Sequence, residues 1–481
     1  MRTTPLHKRK RAVRVRVACA VGALAVAGLA AIPITALADT TDDAPASRQQ
    51  TIQAAAQEYH VPANVLLALA YEESAWNPHG TQASTGGGYG IMHLTDVTPA
   101  MLAAGPAGAA GRADLASLAD DPALHTLQTA AKLTGLSAQE LREDETANIR
   151  GGAALLASYE KELVGDTPAD ASRWYGAVAR YSQSKQRQGA ASFADRVFDK
   201  IRGGKSATTR DGQQVRLTAA PSVDPATSQV AKLRLKSTSA ADTECPPTVR
   251  CTFVAGSPAG GQVSDRPANG IRIDTIVLHD LESTYDAGVK GLADPTNPAS
   301  THYVMDSDGS VTQMVPTRNV AFHAGNYSTN LHSVGIEHEG YAAHGSAWYT
   351  EAQYEATADL VKYLAARFGI PLDRQHVIGH DNVAGPKSSL VSGMHWDMGP
   401  ELDIAHLMDL AGAPATGPRG VPRAGEVVTI DPPFARNEQT VTVCPQDDPT
   451  GQTKACAQDR RKVNFVHLRT SPSSTAPLFG D

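Results

Sequence analysis

"VIGHDNVAGPKSSLVSGMHWDMGPELD", residues 377–403, sets a strand-like run ending in His380 against a loop that carries His395 and Asp397. Taken alone, the stretch fits two readings. It is either a solvated loop with three polar residues gathered by chance, or a loop that delivers ligands to a metal. A second strand-like run, "TIVLH" at 275–279, ends the same way on His279. Strand ends hold side chains rigidly at a sheet edge, which is what preorganised ligands need. Histidine is also concentrated here: ten of the sixteen lie between residues 279 and 406, where an even spread would place about four.

Two imidazoles and one carboxylate with an open fourth position is a catalytic zinc arrangement. His279, His380 and Asp397 supply that set. Glu337 in "SVGIEHEG" (333–340) supplies a further carboxylate on another strand. A metal lowers the pKa of its water towards about 7, and a nearby carboxylate can take the proton. Strand alternation puts Glu337 and Glu339 on one face and His338 on the other, so one glutamate is expected to be catalytic and its neighbour supporting.

Around this core the pattern is mixed. "IRIDTIVLHD", "STHYVMDSDGSVTQMV", "HSVGIEHEG" and "QHVIGH" read as short strands, with "SDG" (307–309) as a hairpin turn. "TEAQYEATADLVKYLAARFG" (350–369) is an amphipathic helix with Gly369 at its stop and Pro371 just after. This order predicts an α/β domain over 251–412, a central mixed sheet flanked by helices. Upstream, residues 49–203 read as helical: "TIQAAAQEYHVPANVLLALAYEESAW" and "ETANIRGGAALLASYEKELV" carry apolar residues at three-to-four spacing. Residues 204–250, rich in Ser, Thr, Ala and Asp without a clear period, are expected to be an exposed linker, and 413–425 a second one. Residues 426–481 hold short strands, too few for a closed small barrel, and are expected to form a partial β-module.

The first 38 residues differ from the rest. A basic start is followed by an apolar, small-residue run ending in Ala36-Leu37-Ala38, the layout of a secretory signal cleaved before Asp39. The run is also long enough to span a bilayer, and an uncleaved anchor is the competing reading. Cleavage removes seven basic residues and leaves 36 Lys and Arg against 50 Asp and Glu, a net charge of −14. Such a mature chain is not expected to bind nucleic acid or to stay inserted in a membrane. Four cysteines remain in two close pairs, "CPPTVRC" (245–251) and "CPQDDPTGQTKAC" (444–456). With no histidine beside either pair, disulfides are expected rather than a zinc knuckle, in keeping with export.

"TIVLHD", "THYVMDSDGSVTQMVP", "AFHAGN", "SVGIEHEG" and "VIGHDNV…HWDMGP" resemble, in order, the motifs of zinc-dependent N-acetylmuramoyl-L-alanine amidases, a fold shared with animal peptidoglycan recognition proteins. The resemblance covers about 270–412. It implies bacterial peptidoglycan as partner and hydrolysis of the amide between the muramic acid lactyl group and L-Ala. It further implies His279, His380 and Asp397 as ligands of Zn²⁺ and Glu337 as the catalytic carboxylate. His395 matches a position where relatives carry Lys or another cationic group, which would stabilise a developing oxyanion. His323 in "AFHAGN" and His302 in "THY" would meet substrate. Thr301 stands where some relatives carry Tyr.

"LALAYEESAWNPHG…GGGYGIMHLT" and "ANIRGGAALL" resemble lysozyme-like transglycosylase domains over roughly 50–200, and Glu73 falls on that family's catalytic acid. A buried carboxyl with a raised pKa can protonate a glycosidic oxygen. His93 stands where that family usually has Gln, and "ARYSQS" replaces its usual Ala-Tyr-Asn-Ala-Gly. "VHLRTSPSSTAPLFGD" resembles the start of a bacterial Src-homology-like wall-binding module. Three functions therefore compete: an exported zinc amidase, a recognition protein of the same fold that holds muropeptides uncut, and a glycan-cleaving enzyme acting through Glu73.

Overall fold

The α/β half is organised by six strands: β1 (Cys251–Phe253), β2 (Thr275–Asp280), β3 (Tyr303–Met305), β4 (Val311–Gln313), β5 (Ser333–His338) and β6 (Val377–Gly379). They lie in the order β6-β2-β5-β3-β4-β1. All neighbours are parallel except the β3–β4 hairpin, so the sheet is mixed, as the strand spacing predicts. This computed structural model describes residues 46–98, 120–236, 243–340, 348–395, 397–414 and, with gaps, 423–480. The expected signal at 1–38 and the Cys444–Cys456 pair lie outside the described residues.

Central parallel strands are covered on both faces and read as continuous apolar runs. In β2, Ile276 and Leu278 pack with Leu360, Val361 and Leu364 of the helix Glu351–Phe368 (α4). Val277 joins Ala324 and Val383 in a second apolar cluster. Alternation along the strand then puts His279 on the Val277 side, away from α4. The helix α4 is delimited by its own ends. The Thr350 side chain accepts from the Gln353 amide, and Gly369 takes the left-handed conformation, φ 69°, that stops it.

The helical half is built on helices α1 (Ala63–Ser74), α2 (Glu145–Val164) and α3 (Arg187–Gly203). Helix α1 buries ten of its twelve residues, which marks it as the central helix rather than a surface one. Residues 205–233, expected as exposed linker, belong to this half instead. Lys205–Thr208 and Gln214–Leu217 pair as a hairpin, and Thr227–Leu233 forms 3₁₀ turns. The reason is local: Val215, Leu217 and Val230 are buried in the helical core, a pattern too short to show as a period in the sequence. The Cys245–Cys251 disulfide is present. Toward the C terminus, Glu438–Val443 pairs with Ala457–Lys462. This hairpin docks on the α/β half, where Asn464 donates to the Pro400 and Leu402 carbonyls. No helix among the described residues is long and apolar enough to cross a membrane.

Residues 46–481 form one compact unit, so the two halves share an interface. Tyr71 on α1 donates to Glu351 on α4 at 2.9 Å, and Lys200 on α3 bridges Glu72 (3.1 Å) and Glu355 (2.6 Å). The His79 ring stacks on Trp348 with centroids 3.7 Å apart.

Candidate metal centre and a second buried carboxyl

Strand register gathers the first site. In the parallel ladders Glu337 lies opposite His279, and Gly379 opposite Leu278, so His380 follows beside His279. His380, His279 and Glu337 thus stand at the C-terminal ends of three adjacent parallel strands, the edge where open α/β sheets bind ligands. The loop that brings Asp397 is pinned to both flanking strands. Asp397 Oδ2 accepts the Asp280 amide at 3.0 Å, its carbonyl accepts the Asp381 amide, and Asp381 Oδ1 accepts the Gly399 amide.

Among the described residues, His279, His380 and Asp397 are the group of His, Cys, Asp or Glu side chains close enough to share an ion. The two Nδ1 atoms face each other at 3.0 Å. Asp397 Oδ1 is 3.3 Å from His380 Nδ1, and its Oδ2 is 3.6 Å from His279 Nδ1. A tetrahedral zinc with bonds of about 2.0–2.1 Å separates its ligand atoms by roughly 3.3 Å, so the spacing fits.

The hydrogen bonds behind His279 fix which nitrogen it offers. Ser333 Oγ donates to the Thr329 carbonyl (2.7 Å) and therefore accepts from His323 Nε2 (3.1 Å). His323 Nδ1 then accepts from His279 Nε2 (2.9 Å), which leaves the His279 Nδ1 lone pair bare and aimed at the cluster. An orienting partner of this kind is what metal-binding imidazoles need. The His323 ring fits only because β5 carries Gly335: a Cβ there would lie 2.6 Å from its Cγ. Burial, reinforced by His380, holds His279 down to about 4, so it is neutral at physiological pH, the form that binds metal.

The carboxyls at this site are driven apart. Asp397, although buried, is held well below the usual carboxylate range by the imidazoles of His279, His380 and His395 that surround it. Glu337 is pushed well above it by burial, then by Asp397 and Asp280. Its Oε1 lies 3.9 Å from His279 Nδ1 and the side chain is 15% exposed, so it borders the cluster from the open side. His395 is about half exposed with Nδ1 3.4 Å from Asp397 Oδ1, and that hydrogen bond raises its pKa.

Two residues expected to touch substrate sit elsewhere. His323 is buried behind His279, in the orienting chain just described. His302 has no exposed surface; its Nδ1 accepts the Gly335 amide and its Nε2 lies beside the Asn319 carbonyl, so it braces β5 from within. Glu339 is taken up as well: its Oε1 accepts the Tyr285 amide and its Oε2 the Ser307 amide. Ser333, Gly335 and Asp280 were not visible as site residues in the sequence, because their part depends on which ring nitrogen or amide faces inward.

Glu73, in the last turn of α1, makes a different site. It is buried, and its Oε2 lies 3.3 Å from His93 Nδ1. The Ser84 hydroxyl oxygen accepts the Gly88 amide (2.9 Å) and sits 2.6 Å from His93 Nε2. Donation from Ser84 to Nε2 leaves an Nδ1–H to face Glu73. His93 rests on Gly88, where a Cβ would lie 2.2 Å from its ring. Burial lowers His93 to about 4, so it stays neutral, and burial first, then Asp308 and Glu72, raises Glu73 well above its ordinary value. A neutral, buried carboxyl beside a cleft is the form a proton donor needs.

Comparison with known proteins finds a match within each half. Residues 269–400 match the family described as N-acetylmuramoyl-L-alanine amidase, and residues 50–108 match the transglycosylase SLT domain. N-acetylmuramoyl-L-alanine amidase A of Achromobacter lyticus is 36% identical over 96 residues, 20% of this chain and 52% of that protein. The 1,6-anhydro-N-acetylmuramyl-L-alanine amidase AmpD of Citrobacter freundii is 32% identical over 132 residues, 26% of this chain and 62% of that protein. The chain therefore spans less than two thirds of either relative. A solved complex of the amidase AmiD from E. coli aligns at 26% identity over 30% of this chain and 59% of that one, with a TM-score of 0.25. This chain is thus similar to N-acetylmuramoyl-L-alanine amidases over residues 269–400 and to transglycosylase SLT domains over residues 50–108.

Proposed function

We propose that this protein is an exported peptidoglycan hydrolase that cleaves the amide between N-acetylmuramic acid and L-alanine. The observation that carries this is the group His279, His380 and Asp397, spaced for one zinc ion within a domain of the amidase family. Bound zinc would supply Lewis acidity, polarising the scissile carbonyl and acidifying water at the site. Glu337, on the open side of the cluster, would be brought back to its ionised form by a cation held there, and so takes the proton from the attacking water and returns it to the departing alanine nitrogen. His395, made more basic by Asp397, donates to the oxygen that gains charge as the carbonyl carbon becomes tetrahedral. Export is supported by the basic–apolar–Ala-x-Ala start and by a Cys245–Cys251 disulfide, which suits an oxidising compartment. Digestion of purified peptidoglycan should release stem peptides with a free N-terminal alanine; a chelator should stop release and zinc restore it. Unchanged release from metal-stripped protein would rule this reading out.

A second reading accompanies the first, favoured by the burial and raised pKa of Glu73: the helical half cleaves glycan strands with Glu73 as proton donor. Glu73→Gln should stop strand shortening while stem-peptide release continues. Strand shortening undiminished in that variant would rule it out.

A further inference from the structure

The cleft beside Glu73 has walls from both halves of the molecule. On one side stand Glu73, His93 and Tyr181 of the helical half; on the other, Tyr285, Ser307 and Asp308 of the α/β half. The second wall is the β3–β4 turn, residues 306–310. This turn is seated firmly against the helical half: a Cβ on Gly189 would lie 2.1 Å from Ser310 Oγ, so that glycine makes room for it. Lys185 ties the rim together, bridging Asp121 (2.7 Å) and Asp286 (2.6 Å) across the boundary. Within the turn, Asp308 Oδ1 accepts the Ser310 amide at 2.7 Å. Its Oδ2 is buried with no partner in hydrogen-bond geometry, although Ser182 across the boundary favours its ionised form.

We propose that this cleft is a glycan-hydrolysing site made by both halves, in which Glu73 protonates the glycosidic oxygen and Asp308 takes a proton from the attacking water. The proposal rests on Glu73 as proton donor and goes beyond it in naming the base, its origin in the other domain, and the nucleophile. The bond between the anomeric carbon and the bridging oxygen breaks as water's oxygen bonds to that carbon. The Glu73 proton goes to the leaving oxygen and one water proton to Asp308, so the products are a free hydroxyl and a new reducing end. Two carboxyls flanking a glycosidic bond, one neutral and one ionised, is the arrangement hydrolysis requires. Their surroundings separate them in that sense: burial raises Asp308 only to about 6, while Glu73, facing Asp308 and Glu72 with only the neutral His93 and Tyr181 for company, is raised well above its ordinary value. Asp306, held neutral by burial, and Glu339 also line the cleft, as do Lys185, Asp121 and Asp286.

The test uses the whole chain with Asp308→Asn, which keeps the oxygen that accepts the Ser310 amide. Stem-peptide release in the same sample reports that the protein is folded. Strand cleavage should fall about 10²–10⁴-fold with amide hydrolysis unchanged. Loss of the negative charge should also move the alkaline limb of strand cleavage to lower pH, because Glu73 then loses its proton sooner. In the unsubstituted protein, ¹⁸O from labelled water should appear at new reducing ends. If Glu73→Gln is inactive on strands but Asp308→Asn matches the parent in rate and pH profile, the composite site is wrong and Glu73 as donor survives. Cyclised ends without ¹⁸O would likewise overturn water as nucleophile. Strands left intact by the parent protein overturn both.

Discussion

The zinc-spaced cluster and the Glu73 cleft each hold a carboxyl raised well above its ordinary range, and they assemble it by opposite routes. At the cluster, every group comes from one sheet edge and the loop pinned to it. At the cleft, Glu73 and Asp308 are 235 residues apart in the chain and meet only because two domains are packed together. Each places an imidazole on a glycine, His323 on Gly335 and His93 on Gly88. The imidazole's task differs. His323 orients another histidine, whereas His93 presents its ring directly to the carboxyl. The carboxyl shifts show which force wins in each place. Glu73 and Glu337 are raised because burial goes uncompensated, whereas the buried Asp397 is lowered because three imidazoles surround it. Burial alone does not set protonation; the neighbours do.

This contrast can be broken by substitution. The largest effect is expected for Asp397→Ala, which removes one of the three groups proposed to hold zinc: zinc content and stem-peptide release should both fall to background, with strand cleavage retained. Release at the parent rate would show that Asp397 is not a ligand. Next is Glu73→Gln, expected to cut strand cleavage about 10²–10⁴-fold and leave zinc content and amide hydrolysis alone. A matching drop in amide hydrolysis would mean the two sites are not separable. His323→Ala removes the group that fixes the His279 tautomer, and second-layer losses of this kind cost about 10–100-fold in metal affinity. Competition for zinc against a chelator would measure it, and an unchanged affinity would make His323 a packing residue only. The smallest effect is expected at the domain interface. Tyr71→Phe removes a buried donor to the Glu351 carboxylate, and urea unfolding should register a loss of about 1.5–3 kcal/mol. No loss would indicate that the two halves are held together by other contacts.

The first site was largely legible in the sequence, and the reason is geometric. Parallel strands put their last residues at one edge, so "TIVLH", "GIE" and "VIGH" each announce a side chain at the same level. The histidine excess and the His-Trp-Asp loop point to the remaining member of the cluster. The direction of each imidazole was not legible, because it depends on a hydrogen-bond chain through Ser333 and Thr329 that no spacing encodes. His302 and His323 were therefore read as substrate contacts when their rings face inward. The helical half was legible as helices, yet the 205–233 segment was read as linker because two buried residues in a four-residue strand give no period. The far wall of the Glu73 cleft could not be read at all. "SDG" marks a hairpin turn, which says nothing about the domain that turn will touch.

The most direct test of the account is to measure zinc content and stem-peptide release together in Glu337→Ala and Asp397→Ala. Glu337 is assigned to proton transfer and Asp397 to holding the metal, so the two variants should divide. Glu337→Ala should keep close to one zinc per chain while turnover falls about 10²–10⁴-fold. Asp397→Ala should lose both together. If Glu337→Ala loses the metal while Asp397→Ala keeps it, or if Glu337→Ala turns over at the parent rate, the assignment of these two carboxylates is contradicted.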